Sequence, residues 1–108
     1  MSQKVFKLWM IKSVTKEWFE LPEEEADKLW KQMEEVRKKV GGKSSFMCNS
    51  YWANEKYQCW GIDEFPDLEA AIADGENLRK LNWGRYFISE SILGIEEPGY
   101  KEQFEAQE

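Results

Sequence analysis

Asn49, Tyr51, Gln58 and Trp60 have the types and spacing to build a small-molecule site. Two amides among large aromatic rings supply what a pocket for a small apolar or aromatic molecule needs: apolar walls and a few fixed hydrogen-bond groups. The segments that carry them, residues 45–53 and 57–63, read as two strands of a hairpin around Asn54-Glu55-Lys56. With a two-residue loop at Asn54-Glu55, Asn49 stands opposite Trp60 and Tyr51 opposite Gln58. Met47, Asn49, Tyr51, Gln58, Trp60 and Ile62 then share one face. Phe46, Cys48, Ser50, Trp52, Tyr57 and Cys59 share the other, so the two cysteines face the same way, diagonally. A register change of one residue swaps this pairing. The alternative reading makes the aromatics core and the amides a satisfied pair at a subunit interface, because aromatics supply much of any buried area.

Glu90 is the second candidate. It lies between Ile88 and Ile92 on one face of an apolar strand, with Ser89 and Ser91 between Phe87 and Leu93 on the other. Burial there disfavours the ionised carboxylate, raises its pKa and makes a general base. The other reading is an exposed Glu90 paired with a cation such as Arg85 or Arg79. Asn49 and Glu90 are therefore the candidate catalytic residues. Trp9, Trp18, Tyr51 and Trp60 are the candidate ligand-binding walls, with Trp18 and Phe19 placed to close a pocket.

Other chemistries are narrowed by composition. The chain has 108 residues and no histidine, which removes Ser-His and Cys-His nucleophiles and histidine-ligated haem or zinc. Gly42-Lys43-Ser44 imitates the end of a phosphate-binding loop, but here a helix precedes the glycines and a strand follows, the reverse of the required order. Cys48 and Cys59 are too far apart for a CxxC pair, and neither adjoins a base or cation in sequence. The carboxylates sit on the first long helix and in the tail rather than in a calcium-type loop, so neither a metal nor a cofactor is expected. Fifteen Lys+Arg against 21 Asp+Glu give a net charge of -6, which argues against nucleic acid or an anionic membrane as the partner. With no secretory leader core, no long apolar run and two thiols, the expected setting is the cytoplasm, with no membrane span.

The elements that must position these residues follow from periodicity. Residues 4–12 read as a strand with Phe6, Leu8 and Met10 on one face and Val5, Trp9 and Ile11 on the other. Residues 13–21 read as a short turn or lid. Residues 22–40 form a helix, with acidic residues at its start, basic residues at its end and Gly41-Gly42 as the stop. A second helix spans 67–82, capped by Asp67, with Leu68, Ala71, Ile72, Gly75 and Leu78 as its apolar stripe. Residues 85–95 are the last strand. One domain over 1–95 and a polar tail over 96–108 are expected.

The order β-α-β-β-α-β is the split βαβ, ferredoxin-like arrangement: an α+β fold with two helices on one face of a four-stranded antiparallel sheet. The open face is too apolar to stay wet, and a second copy about a two-fold axis covers it most simply. On this order, and on the stretch Trp18-Phe19-Glu20-Leu21-Pro22-Glu23-Glu24-Glu25, the chain resembles the dimeric α/β-barrel superfamily, and its small uncharacterised members in particular. That resemblance implies a homodimer with a pocket between each sheet and its helices or lid. It covers proteins from cofactor-free oxygenases to haem enzymes and cyclases, so the fold selects none of them. Some of those oxygenases hold an aromatic substrate with an Asn and a Trp or Tyr, and the resemblance implies those parts for Asn49 and Trp60. A cofactor-independent oxygenase or cyclase, a small-molecule binding protein and a non-enzymatic dimerisation module are the three functions this sequence accommodates.

Overall fold

The computed structural model describes residues 3–53 and 56–97. The Asn54-Glu55 turn and residues 98–108 of the expected tail lie outside the described residues.

Strand β1 (Val5–Val14) alternates as its sequence requires. Val5, Trp9 and Ile11 are buried, while Phe6, Leu8 and Met10 line the opposite face. The chain continues through α1 (Lys16–Glu20), α2 (Glu23–Lys39), β2 (Lys43–Asn49), β3 (Cys59–Phe65), α3 (Leu68–Lys80), α4 (Trp83–Tyr86) and β4 (Phe87–Gly94). All pairings are antiparallel, in the order β2-β3-β1-β4. With α2 and α3 as the crossover helices, this is the expected ferredoxin-like α+β architecture. Among the described residues, no helix is long and apolar enough to cross a membrane.

The two main helices are punctuated as their sequences dictate. Gly41 takes φ +86°; its N–H donates to the Lys38 carbonyl, and the Gly42 N–H donates to that of Arg37, both at 2.9 Å. That left-handed ending satisfies the last carbonyls of α2, so Gly42-Lys43-Ser44 is a helix exit into a strand. At the start of α3, the Asp67 carboxylate accepts from the Ala70 N–H at 2.7 Å.

Three local expectations are corrected. Residues 13–21, read as a short turn or lid, first extend β1 to Val14 and then form a helical turn, α1. Asn82, in the left-handed conformation at φ 65°, stops α3; a separate turn, α4, then delays the last strand to Phe87. Helix α3 is also rotated from its expected face: Ala70, Ala71 and Asp74 are buried, while Leu68 and Ile72 are 52% and 49% exposed. Two alanines bring the helix close to Val5 and Phe65, and that contact turns Asp74 inward.

The buried residues form two apolar clusters: Val5, Phe65, Ala70 and Ala71, and then Trp9, Ile11, Met33 and Phe87. Between them on the strands stands a cross-strand charged pair, Lys7 opposite Asp63. Phe6, Leu8, Phe46, Trp60, Ile62, Ile88 and Ile92 make the other face of the sheet apolar as well.

Candidate functional site

A cavity of about 220 Å³ lies between the sheet and helices α2, α3 and α4. Three indoles, Trp9, Trp30 and Trp83, line it together with Met33, Met47 and Leu78. Lys7, Arg37, Asp63 and Asp74 supply charged groups.

Each indole is held by its own element. Trp9 is paired across the strands with Gly61, whose missing side chain leaves room for the ring. The Trp9 indole N–H faces the Asp63 carboxylate closely enough to oppose the rise that burial causes in its pKa. Trp83, on the short α4 turn, donates its indole N–H to Ser89 Oγ at 2.8 Å and tilts against Phe87 at 4.5 Å between ring centres. Trp30, from α2, meets Phe87 edge-on at 6.1 Å.

The charged groups are loosely joined. Lys7 Nζ stands 3.9 Å from Asp74 Oδ2, and Arg37 Nη1 stands 3.9 Å from Asp63 Oδ1. Those separations give attraction but no hydrogen bond. Asp63 Oδ1, Asp74 Oδ1 and Arg37 Nε are buried and make no hydrogen bond within the described protein. Burial pushes both carboxyl pKa values up. For Asp63, Arg37, the Trp9 N–H and Lys7 oppose the rise. For Asp74, Lys7 opposes it and the nearby Asp63 adds to it. The arrangement can stack an aromatic body, accept hydrogen bonds at its polar end and take up a proton there.

Of the residues singled out in the sequence, Trp9 and Glu90 are among those that line the cavity, Glu90 with its carboxylate turned to the other face of the sheet. Trp18 packs beside this wall, against Tyr86 and Phe87 with ring centres 5.7 and 4.7 Å away. The hairpin places the others elsewhere. Asn49 pairs with Cys59 and Cys48 with Trp60, one residue away from the two-residue-loop register, so Asn49 and Trp60 lie on opposite faces of the sheet. The cause is a longer connection, residues 50–58. It is tied by the Ser50 N–H to the Gln58 carbonyl and by Ser50 Oγ to the Tyr57 carbonyl, both at 2.9 Å; a separate irregularity between Ser44 and Phe46 shifts only the pairings of Lys43 and Ser44. Tyr51 is exposed in that connection. Trp60 meets Phe46 edge-on, at 5.6 Å, on the open face. The same register separates the cysteines to opposite faces; both are free thiols, and burial raises the Cys59 pKa.

Glu90 has the ion-paired environment. Its position opposite Met10 turns its carboxylate to the open face. There Lys12 Nζ approaches Oε1 at 2.6 Å and the Tyr57 hydroxyl donates to Oε2 at 3.1 Å. Lys12 first, then Tyr57, holds this carboxyl below the usual range.

The sequence reading passed over Lys7, Arg37, Asp63 and Asp74, although each left a signal. Lys7 interrupts the Val5, Trp9, Ile11 face, and Asp63 stands between Gly61 and Phe65 on the matching face of β3. Arg37 follows Trp30 and Met33 at helical spacing, and Asp74 follows Ala70 and precedes Leu78. Among the described residues, no group of three or more His, Cys, Asp or Glu side chains is placed to hold a metal ion.

No protein-family model matches the chain, and no curated protein matches it. Solved structures do resemble it. One is described as a putative monooxygenase from Shewanella loihica PV-4, with a TM-score of 0.59 and 16% identity over 90% of this chain and 97% of that one. Another is a dimeric protein of unknown function and ferredoxin-like fold from Bacteroides fragilis NCTC 9343, with a TM-score of 0.42 and 13% identity over 86% of this chain and 96% of that one. At that identity the likeness concerns the fold alone: this chain is an α+β protein of ferredoxin-like architecture, four antiparallel strands with helices.

Proposed function

We propose that this protein binds a small, largely aromatic molecule in the cavity between its sheet and helices α2, α3 and α4, with Trp9, Trp30 and Trp83 as stacking walls. One observation carries the reading: Asp63 Oδ1, Asp74 Oδ1 and Arg37 Nε are buried without hydrogen-bond partners among residues that line a tryptophan-walled cavity. Leaving such a group unsatisfied costs about 1–3 kcal/mol, more when it is charged. A ligand that satisfies them recovers much of that cost.

Titrating the full chain with small bicyclic aromatics tests the proposal through tryptophan fluorescence and calorimetry. Saturable quenching with one site per chain is expected, weakened at least tenfold in Trp83→Leu. Absence of saturable binding to any neutral bicyclic probe sinks it and leaves the aromatics as core and interface.

A catalytic reading is favoured by a separate observation, the two cavity carboxyls with raised pKa values. A carboxylate in that position takes a proton from an activated ligand and leaves the electron pair on it, a first step for a cofactor-independent oxygenase or cyclase. The description of the Shewanella loihica neighbour as a putative monooxygenase is compatible with this. Ligand consumption that is lost in Asp63→Asn or Asp74→Asn, with binding retained, supports catalysis; binding without consumption supports a binding protein.

A second copy of the chain, sheet facing sheet, is the partner we propose for the open face. Phe46, Ile88 and Ile92 there are 48%, 52% and 60% exposed, and an apolar sheet face of this kind is what a partner surface covers.

A further inference from the structure

We infer that the cavity selects an aromatic ligand whose polar end is a neutral hydroxyl, recognised by Asp63, Asp74 and Arg37. This deepens the proposed binding function and rests on it.

The inference comes from the unpartnered atoms and their neighbours. Asp74 is 1% exposed and Asp63 4% exposed, and each keeps one carboxylate oxygen without a donor. These oxygens call for a ligand that donates. Arg37 Nε, also buried and unpartnered, calls for a ligand that accepts. A hydroxyl carries both functions in one group: its single O–H donates to one of the two carboxylate oxygens, and its lone pairs accept from Arg37 Nε.

The other common polar ends fit less well. A cationic amine satisfies the carboxylates but brings a third positive charge beside Lys7 and Arg37, which already stand 3.9 Å from Asp74 and Asp63. A carboxylic acid satisfies Arg37 but brings a third negative charge beside two carboxylates. The four side chains sum to zero charge, and a neutral group is the one that leaves this balance intact. The aromatic body follows from Trp9, Trp30 and Trp83 in the same wall.

Four naphthalene probes separate the possibilities on the wild-type chain at pH 7: 2-naphthol, 2-methoxynaphthalene, naphthalen-2-ylmethylamine and 2-naphthoate. Calorimetry should show 2-naphthol binding roughly tenfold or more tighter than 2-methoxynaphthalene, which keeps the ring and the acceptor but lacks the donor. The amine and the naphthoate should bind more weakly than 2-naphthol. In Asp74→Asn the preference of 2-naphthol over 2-methoxynaphthalene should shrink several-fold, with the methoxy affinity nearly unchanged. Equal binding of 2-naphthol and 2-methoxynaphthalene, or tightest binding of either ion, overturns the hydroxyl inference and leaves the cavity reading standing. If none of the four binds, the cavity reading itself has failed.

Discussion

The Trp9 indole lies against the backbone of Gly61, its partner across β1 and β3; a Cβ built on Gly61 would stand 2.4 Å from Trp9 Cζ2. No flexible chain end takes up that overlap, because the ring is buried in the cluster with Ile11, Met33 and Phe87. Gly61→Ala is therefore expected to displace the indole, lower stability by about 1–3 kcal/mol and weaken aromatic-probe binding. Urea unfolding and a fluorescence titration check both effects. A variant with unchanged midpoint and affinity shows that the indole has another place to go.

Two other glycines have opposite expectations. Gly41 holds φ +86° at the end of α2, a conformation that side chains resist. Gly41→Ala should cost about 1 kcal/mol. Gly75 lies inside α3 with nothing within 4 Å of its missing Cβ. Gly75→Ala should therefore stabilise the chain by about 0.4–1 kcal/mol. Thermal or urea unfolding of the two variants reads the contrast, and a shift of the same sign in both contradicts it.

The cavity carboxylates predict a pH dependence with a definite sign. Asp63 and Asp74 have folded pKa values raised above the unbound carboxyl value of 3.8. They bind protons more readily folded than unfolded. The stability they contribute is fully present below pH 3.8 and is lost as pH rises through their raised folded values. Glu64 and Glu90, held low by lysines, act in the other direction: their contribution is present above pH 4.5 and is lost as pH falls through their lowered values. Those pairs are at the surface and screened by salt, so high salt isolates the buried pair. Urea midpoints measured against pH in high salt should show a stability loss with rising pH that is smaller in Asp74→Asn. Parallel curves for wild type and variant would mean that Asp74 does not titrate in this range.

The open sheet face predicts the assembly. Ile92, on the edge strand β4, is 60% exposed on that face beside Leu8 of β1. Ile92→Glu places a charge in the proposed sheet-to-sheet contact, and burying it unpaired is strongly unfavourable. Sedimentation equilibrium at micromolar concentration should give a dimer for the wild type and a monomer for Ile92→Glu, with unchanged circular dichroism. A monomeric wild type sinks the second-copy proposal without touching the cavity.

Much of the fold was legible in the residues. The alternation of Val5, Trp9 and Ile11 with Phe6, Leu8 and Met10, the Asp67 cap and the Gly41-Gly42 stop are local signals, and each acts over a few residues of chain. They determined the order of the main elements and so the ferredoxin-like arrangement. Lys7 and Asp63, each alone on an otherwise apolar strand face, were also present in the sequence as anomalies.

Tertiary structure alone decided the rest. Register is a property of two strands together: the ties at Ser50 hold Asn49 opposite Cys59 and put Trp60 across the sheet from it. Helix rotation is likewise set by the surface a helix meets. Ala70 and Ala71 against Val5 and Phe65 turned Asp74 inward, where apolar spacing alone favoured Leu68 and Ile72. The cavity depends on four chain-distant groups, Lys7, Arg37, Asp63 and Asp74, meeting between two apolar clusters. Sequence carries their identities; only packing fixes their distances, and electrostatics and hydrogen bonding depend on those distances.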